Sequence, residues 1–261
     1  MIRRPPRSTL DRSSAASDVY KRQIRDVDSC YLSSSLAVDL AKKYDADLHV
    51  FHLTTEKEME LFTSGMIDGK KITAEVCVHH MLLNDSYYRE LGNQIKCNPS
   101  IKTENDRQAL IKSLKEDKID IIATDHAPHT WDEKMQNYKD APAGLPLVQH
   151  GLQILMDFYH KDILSLETIV EKTSHNVAKR FQVKDRGYIR EGYYADLAVL
   201  DIDKSYEVTK ENILYKCGWS PFLGKTFPSS IYLTIVNGNI AFQDGEISKD
   251  LPFGMQIEFD R

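Results

Sequence analysis

Apolar and polar residues follow a helical period and a strand period in turn along the first two thirds of the chain. Residues 29–44 place six apolar side chains at near-helical intervals: Tyr31, Leu32, Leu36, Val38, Leu40 and Ala41. Residues 48–53 then form an apolar run that predicts a buried strand. The succession repeats with a helix over 56–64, a strand over 72–78, a helix over 105–116 with Asn105 as candidate cap, and a strand over 118–124. This alternation predicts an α/β fold with a parallel sheet.

The pattern changes in the last third of the chain. From Pro146 to about Phe181 it predicts helix, with one apolar face formed by Leu147, Val148, Leu152, Leu155, Met156 and Tyr159. Residues 187–201 and 233–247 then read as short alternating strands broken by Gly and Asn, and Asn237-Gly238 is a candidate hairpin turn. We therefore predict an α/β domain over 24–181 and a small β-rich domain over 182–261.

Residues 1–23 show neither period and are rich in Arg and Ser. Such a composition is typical of an organellar transit peptide, but Asp11, Asp18 and the Pro5-Pro6 pair do not suit an amphipathic targeting helix. The segment more closely resembles translated sequencing-adaptor read-through. We interpret it as a non-native or disordered leader and exclude it from the fold prediction.

Composition and charge exclude several classes of protein. The net charge of −5 and the lack of a dominant basic patch argue against a nucleic-acid partner. No apolar run approaches the ~20 residues that cross a bilayer, so no membrane insertion is expected. The four cysteines are scattered without a Cys-x-x-Cys pair, which is typical of reduced thiols in a cytoplasmic protein and does not predict a cysteine-based zinc knuckle.

Candidate chemistry is concentrated where the predicted strands end. Asp125, His126 and His129 follow an apolar strand, at the position where (β/α)8 barrels carry catalytic residues. In the alternative interpretation, Asp125 caps a turn or helix and the two histidines lie on the surface. His52 ends another apolar run and is either a ligand or a satisfied core residue, whereas His49 is predicted to be structural because it points to the opposite face of the strand.

Five segments together resemble one family, dihydroorotase of the class I type. They are LHVFHLTT at 48–55, TAEVCVHH at 73–80, KCNPSIK at 96–102, ATDHAPH at 123–129 and KCGWSPF at 216–222. All five occur in the family's order. The resemblance implies the C-terminal part of a (β/α)8 metal-dependent amidohydrolase barrel with a small β-sandwich-like domain. It also implies a cytoplasmic enzyme of pyrimidine synthesis that reversibly cyclises N-carbamoyl-L-aspartate to dihydroorotate.

The resemblance also assigns roles to individual residues. It implies that His52 and Asp125 bind zinc, of which a complete site in the family holds two ions, and that Asp125 acts as general base. Asn98 and His129 match positions that contact the substrate, and Ala143-Gly144 matches a backbone pair on its far side. A glycine at 144 also has a plain turn explanation.

Other residues near these segments are predicted to be structural. Glu75 and the His79-His80 pair are expected to support the site, and at most one of the two histidines could reach it because adjacent strand residues point to opposite faces. Cys97 is expected to be a small buried residue.

The chain also lacks features that the resemblance requires. A barrel of this type needs ~250 residues, whereas residues 24–181 number 158. We count three barrel strands, near His52, Glu75 and Asp125, with a candidate fourth over 94–98. No His-x-His precedes Leu48. We therefore expect a truncated chain with an incomplete metal site and no activity of its own.

Three interpretations of function stay open. The first is this dihydroorotase part, and the second is a related cyclic amidohydrolase such as allantoinase or dihydropyrimidinase. The third is a non-catalytic dihydroorotase-like partner of a carbamoyltransferase. A small-molecule substrate is expected for both enzymes, and a homo-oligomer or a carbamoyltransferase complex is open as the assembly.

Overall fold

The computed structural model describes residues 26–250 and 252–260. The predicted leader over 1–23 lies outside these residues. These described residues form two compact units, and the first comprises those up to Gly151 together with Ile213–Leu223. The second comprises Leu152–Asn212 and the residues from Gly224 onwards. The domain boundary after Phe181 stays a prediction.

A three-stranded parallel sheet forms the centre of the first unit. Its strands are β1 (Leu48–Val50), β2 (Ile72–Cys77) and β3 (Ile121–Ala123), in the order β1-β2-β3. The middle strand is buried from Thr73 to Cys77, as expected for a parallel strand covered on both faces. The predicted α/β class with a parallel sheet is confirmed.

Short helices connect and cover these strands. They are α1 (Val27–Tyr44), α2 (Val78–Leu82), α3 (Tyr88–Leu91), α4 (Glu104–Lys115) and α5 (Trp131–Lys134), with 3-10 turns at Lys57–Leu61, Asp85–Tyr87 and Gly92–Ile95.

Two local predictions in this unit are wrong. Thr103 caps α4 in a capping box with Asp106, so Asn105 lies inside the first turn rather than at the cap. Residues 94–98 are a 3-10 turn followed by irregular chain, not a fourth strand.

The apolar periodicity of helix α1 does not show which of its faces is buried. Val38 and Ala41 are buried, but Leu32 and Leu36 are 66% and 62% exposed and Leu40 is 46% exposed. The near-helical spacing correctly predicted the helix. It did not separate the face that packs on the sheet from the exposed apolar stripe, because both faces carry apolar residues.

The second unit combines helices with antiparallel strands. Its helices are α6 (Gly151–His160), α7 (Leu166–Val170), a π-helical turn (Glu171–His175) and α8 (Asn176–Phe181). Its strands are β4 (Leu197–Asp201), β5 (Tyr206–Glu207), β6 (Thr226–Phe227), β7 (Ser230–Val236), β8 (Asn239–Gln243) and β9 (Glu246–Ile247). They form a four-stranded sheet in the order β4-β7-β8-β9 and a separate β5-β6 pair.

The predicted hairpin is confirmed. Strands β7 and β8 pair antiparallel, and Asn237 and Gly238 between them have φ values of 50° and 80°. Positive φ at both turn residues is the type I′ geometry that matches the twist of the flanking strands.

The helical region after Pro146 starts later than predicted. Helix α6 begins only at Gly151, and Val148, predicted on the apolar face, is 59% exposed. Within the described ranges, no helix has the length and apolar character needed to cross a membrane.

Candidate active site

The candidate residues follow the carboxyl ends of the three parallel strands. His52 comes after β1, His79 and His80 after β2, and Asp125 after β3. Parallel strands end at the same edge of the sheet, so these residues share one edge. His52 and Asp125 follow strands that are two spacings apart, which corresponds to roughly 10 Å.

The turn that carries His52 is fixed by a buried carboxylate. His52 has a φ of 41°, and Leu53 N donates to Glu75 O at 2.9 Å. Thr54 N and Thr55 N both donate to Glu58 Oε2, at 3.3 and 3.1 Å. Glu58 is only 4% exposed, so these bonds are shielded from water.

The His52 side chain itself is half-buried and makes no hydrogen bond among the described residues. The alternative in which His52 is a satisfied core histidine therefore lacks the partner it needs. His49 does have partners, because its Nδ1 lies 2.8 Å from Thr73 Oγ1 and its Nε2 lies 3.1 Å from Glu75 Oε2.

Asp125 lies exposed two residues beyond β3, with a φ of 47°. Its carboxylate makes no hydrogen bond within residues 26–250 and 252–260. It does not cap the next helix, because α5 is capped by Thr130 in a capping box with Glu133. The capping interpretation of Asp125 has no support in this helix, and the carboxylate is available to a ligand.

His126 positions a neighbouring loop. Its Nδ1 accepts hydrogen bonds from Leu147 N at 3.0 Å and Val148 N at 3.3 Å. Its ring stacks on Tyr215 at 5.5 Å between centroids. Because Nδ1 accepts, the neutral ring carries its proton on Nε2. Partial burial lowers the pKa of His126 and so favours this neutral form. Nothing in the sequence around His126 predicted this role.

His129, Ala143 and Gly144, three of the predicted substrate-binding residues, lie together. His129 Nε2 donates to Ala143 O at 3.2 Å. Gly144 has a φ of 140°, and a Cβ there would lie 2.4 Å from Ala127 O. A side chain is excluded by this close approach, which gives the turn explanation of Gly144 a specific cause.

The predicted substrate residue Asn98 is exposed and belongs to a segment that reaches the same loop. Gly144 N donates to Lys96 O at 2.8 Å, two residues before Asn98. The structure thus brings the Asn98 segment, the Ala143-Gly144 pair and His129 into one neighbourhood.

A buried lysine that sequence reasoning missed holds this neighbourhood together. Lys134 is fully buried, and its Nζ donates to three backbone carbonyls: Lys96 O at 3.1 Å, Pro142 O at 3.0 Å and Gly144 O at 2.8 Å. Lysines are almost never fully buried unless they are paired. Its sequence context, a charged helix turn, gives no signal of burial.

His52 and Asp125 are suited to zinc by donor type but are too few. Zinc accepts imidazole nitrogen and carboxylate oxygen, and its catalytic sites use three protein ligands. Among the described residues, neither belongs to a group of three His, Cys, Asp or Glu ligand atoms within 4.8 Å of one another. On their own, these two residues do not make a zinc site, and their role as metal ligands stays a prediction.

The end of β2 carries a second, buried cluster of Cys77, His79 and His80, whose ligand atoms lie within 4.8 Å of one another. The two histidines lie in α2, and their rings are 3.9 Å apart. The expectation that they point to opposite faces is wrong, because the strand has already ended at Cys77. Glu75 and Cys97, which were also predicted to be structural, are both buried.

Burial shifts the pKa values of this cluster toward the neutral forms. It raises the pKa of the Cys77 thiol well above its ordinary value, and nearby Glu75 and Asp125 act in the same direction. Burial lowers the pKa of His79 to about 3, with a smaller contribution from His52. It also lowers the pKa of His80 well below its usual range.

Comparisons with known proteins agree on one enzyme family. Residues 37–241 match the model of the amidohydrolase family. A dihydroorotase of Endomicrobium trichonymphae is 36% identical over 205 residues, which cover 78% of this chain and 49% of that protein. A dihydroorotase of Carboxydothermus hydrogenoformans is 35% identical over 79% of this chain and 48% of its own length. The chain thus spans about half the length of these curated relatives.

Solved structures show the same fold. An L-hydantoinase (dihydropyrimidinase) from Arthrobacter aurescens matches with a TM-score of 0.80 and 23% identity, over 96% of this chain and 56% of that one. A D-hydantoinase matches with a TM-score of 0.74 and 19% identity, over 83% of this chain and 49% of its own. At these identities the likeness concerns the fold alone.

Proposed function

The chain belongs to the amidohydrolase family, and on this premise we propose that it forms the C-terminal part of a dihydroorotase. The reaction would be the reversible cyclisation of N-carbamoyl-L-aspartate to dihydroorotate in pyrimidine synthesis. The observation that carries this assignment is the identity of 36% and 35% to relatives named dihydroorotase. It is supported by His52 and Asp125, which follow the two outer strands of the parallel sheet and have no hydrogen-bond partner among the described residues.

His52 and Asp125 would contribute a nitrogen and an oxygen ligand to zinc. Zinc, when bound, lowers the pKa of water toward 7 and so supplies a nucleophile at neutral pH. Asp125 would accept the proton of the attacking water and deliver it to the ring nitrogen as the amide C–N bond breaks. Its exposed carboxylate is available for this transfer because no described residue occupies it.

Substrate recognition would involve Asn98, His129 and the Ala143-Gly144 backbone. The Asn98 amide can donate to a substrate carboxylate. His129 already donates Nε2–H to Ala143 O, so Nδ1 is the ring nitrogen that would face the substrate. A carboxylate distinguishes dihydroorotate from dihydrouracil and hydantoin, and this favours dihydroorotase over the related cyclic amidohydrolases.

The complete site would need ligands from outside this chain. In the described structure, β1 and β3 are the two edges of the sheet and carry no further strand. Unpaired edges of a parallel sheet are normally covered or extended. We therefore propose that this sheet continues in a larger barrel, and that the chain alone has no measurable turnover because His52 and Asp125 do not complete a metal site.

Co-expression tests this proposal. The chain would be produced with and without the N-terminal half of the Endomicrobium trichonymphae dihydroorotase, and ring opening of dihydroorotate, hydantoin, dihydrouracil and allantoin would be compared. We expect turnover of dihydroorotate only in the combination. Asp125→Asn should lower kcat by about 10²–10⁴-fold, the usual contribution of a general base. Asp132→Asn, which changes an exposed carboxylate beyond the site, should have no effect.

Three results would contradict the proposal. Turnover by the chain alone would show that its own ligands suffice. A preference for hydantoin, dihydrouracil or allantoin would favour a related cyclic amidohydrolase. Co-purification with a carbamoyltransferase, without zinc and without turnover in the combination, would favour the non-catalytic partner.

A further inference from the structure

The junction of β2 and α2 contains an unusual group of buried polar atoms. Cys77, His79 and His80 are 0%, 0% and 3% exposed, and their ligand atoms lie within 4.8 Å of one another. Neither ring nitrogen of His79 has a hydrogen-bond partner, and Nδ1 of His80 also has none. A buried polar atom without a hydrogen-bond partner destabilises the folded chain. A single ligand beside the Cys77 thiol could satisfy one nitrogen of each of the two rings.

The tautomer of His80 is already set for metal binding. Its Nε2–H donates to Pro99 O at 3.1 Å, which leaves the lone pair of Nδ1 available. Metal-binding histidines usually donate their second ring N–H to a carbonyl in this way, which fixes the orientation of the ring. His79 and His80 are therefore both neutral imidazoles with an available nitrogen.

We propose that Cys77, His79 and His80 form a buried three-donor site for a thiophilic monovalent ion, copper(I), separate from the zinc ligands His52 and Asp125. Thiolate and imidazole are donors that copper(I) accepts. Binding replaces the thiol proton of Cys77 by the metal, so one proton is released for each ion bound.

The charge of the site selects the ion. One thiolate and two neutral imidazoles carry a charge of −1, which a monovalent ion neutralises. A divalent ion would leave a net charge of +1 on these three donors, and burying an unpaired charge is costly. Glu75, the buried carboxylate that acts on Cys77, is already hydrogen-bonded to His49 at 3.1 Å. A second thiolate would change this balance, but Cys97 lies near the other side of His80, with Sγ 3.8 Å from Nε2 and donating to Pro99 O at 3.1 Å.

Binding requires a small contraction of the donor set. With metal–sulfur and metal–nitrogen bonds of about 2.3 and 2.1 Å, three donors spread at about 120° lie about 3.6–3.8 Å from one another. The ligand atoms of Cys77, His79 and His80 lie within 4.8 Å of one another. The donors therefore need to approach by up to about 1 Å when the ion binds.

X-ray absorption of the full chain loaded anaerobically with copper(I) tests the proposal. We expect one copper ion per chain with one sulfur and two nitrogen neighbours, and calorimetry in two buffers should show one proton released. Cys77→Ser should remove the sulfur neighbour and the proton release. His79→Gln should weaken copper(I) binding on the order of 100-fold, measured by competition with a copper(I) chelator.

Matched variants locate the site. Cys217→Ser changes a partly exposed cysteine and Cys97→Ser changes the buried neighbour, and both should retain the sulfur neighbour. The double variant His52→Asn, Asp125→Asn should also retain it, so that loss of the proposed zinc site is distinguishable from loss of this one. If Cys77→Ser does not fold, as judged by circular dichroism, the wild-type spectrum and His79→Gln provide the test.

Several outcomes would overturn the inference. They are a wild-type copper spectrum without sulfur, a sulfur neighbour that persists in Cys77→Ser, and its loss in Cys217→Ser or Cys97→Ser. Sulfur-bound zinc, seen as a shell at about 2.3 Å, in a chain that does not bind copper(I) would overturn the choice of ion. Absence of dihydroorotate turnover would leave the inference unaffected, because it does not rest on the proposed function.

Discussion

Replacing Lys134 by Met should destabilise the first unit of the chain by about 3 kcal/mol. The Lys134 ammonium is fully buried and donates to the carbonyls of Lys96, Pro142 and Gly144 at 3.1, 3.0 and 2.8 Å. Methionine has a similar length and fills the same space, but it carries no donor. The substitution therefore isolates the hydrogen bonds from the packing.

The magnitude follows from two opposing contributions. A hydrogen bond to a charged group contributes about 1.5–3 kcal/mol, so three contribute about 4–9 kcal/mol. Removing the ammonium also removes its desolvation cost, which is several kcal/mol for a buried ion. The difference leaves a net loss of about 3 kcal/mol, because the three carbonyls lose their shared donor.

Urea unfolding followed by tryptophan fluorescence measures this loss. The chain has two tryptophans, Trp131 and Trp219, and both belong to the first unit. Their rings are 5.8 Å apart, and Trp219 Nε1 donates to His129 O at 2.7 Å, so their emission reports on the Lys134 neighbourhood. Lys139→Met, which changes an exposed lysine nearby, is the control.

The reasoning would be refuted if the free energies of unfolding of Lys134→Met and Lys139→Met differed by no more than about 0.5 kcal/mol, the range of ordinary surface substitutions.

A second consequence concerns the proposed substrate loop. Because Lys134 holds Pro142 O and Gly144 O, its loss should raise the KM for dihydroorotate in the co-expressed enzyme more than it lowers kcat.

Further predictions concern backbone space, pH and the sheet edges. Gly144→Ala should lower the free energy of unfolding in urea by at least about 2 kcal/mol more than Gly65→Ala does. Both glycines have positive φ, but an added Cβ would lie 2.4 Å from Ala127 O at Gly144 and would meet no atom within 4 Å at Gly65. Burial lowers the pKa of His150 to about 4, against about 6.5 unfolded, so the stability that His150 contributes is full above pH 6.5 and falls toward pH 4, by about 2 kcal/mol at pH 5; His150→Gln should remove this share of the slope and leave the share of His79 and His80, whose pKa values are also lowered. The chain alone should self-associate in size-exclusion chromatography, and co-expression with the N-terminal half of the relative should suppress this.

The sequence predicted the features that depend on local pattern. The parallel α/β arrangement followed from alternating periods, and the Asn237-Gly238 turn followed from the need for positive φ at two successive residues. The position of Asp125 at the end of a strand followed from the apolar run over 118–124, and β3 ends two residues before it, at Ala123. These signals lie within a few residues of the feature they predict.

The features that depend on distant residues could not be predicted. Lys134 is buried because three carbonyls from 96 to 144 converge on it, and nothing in its own helix turn indicates this. The prediction that His79 and His80 point to opposite faces was wrong because both residues lie in α2, which has only five residues and begins directly after β2. A helix of that length has too few residues to show a helical period.

The same edge of the sheet therefore carries two sets of donors that differ in their access to water. Asp125 is exposed and His52 half-buried, as the proposed proton transfer and substrate exchange require, whereas Cys77 and His79 are fully buried. A metal at the exposed pair would exchange readily with a chelator, but a metal at the buried cluster could leave only when β2 and α2 open locally. The two sets also act on each other's protonation, because Asp125 raises the pKa of Cys77 and His52 lowers that of His79. A cation held near Asp125 and His52 would oppose the first effect and reinforce the second, and so favour the thiolate and neutral imidazole that the buried site uses.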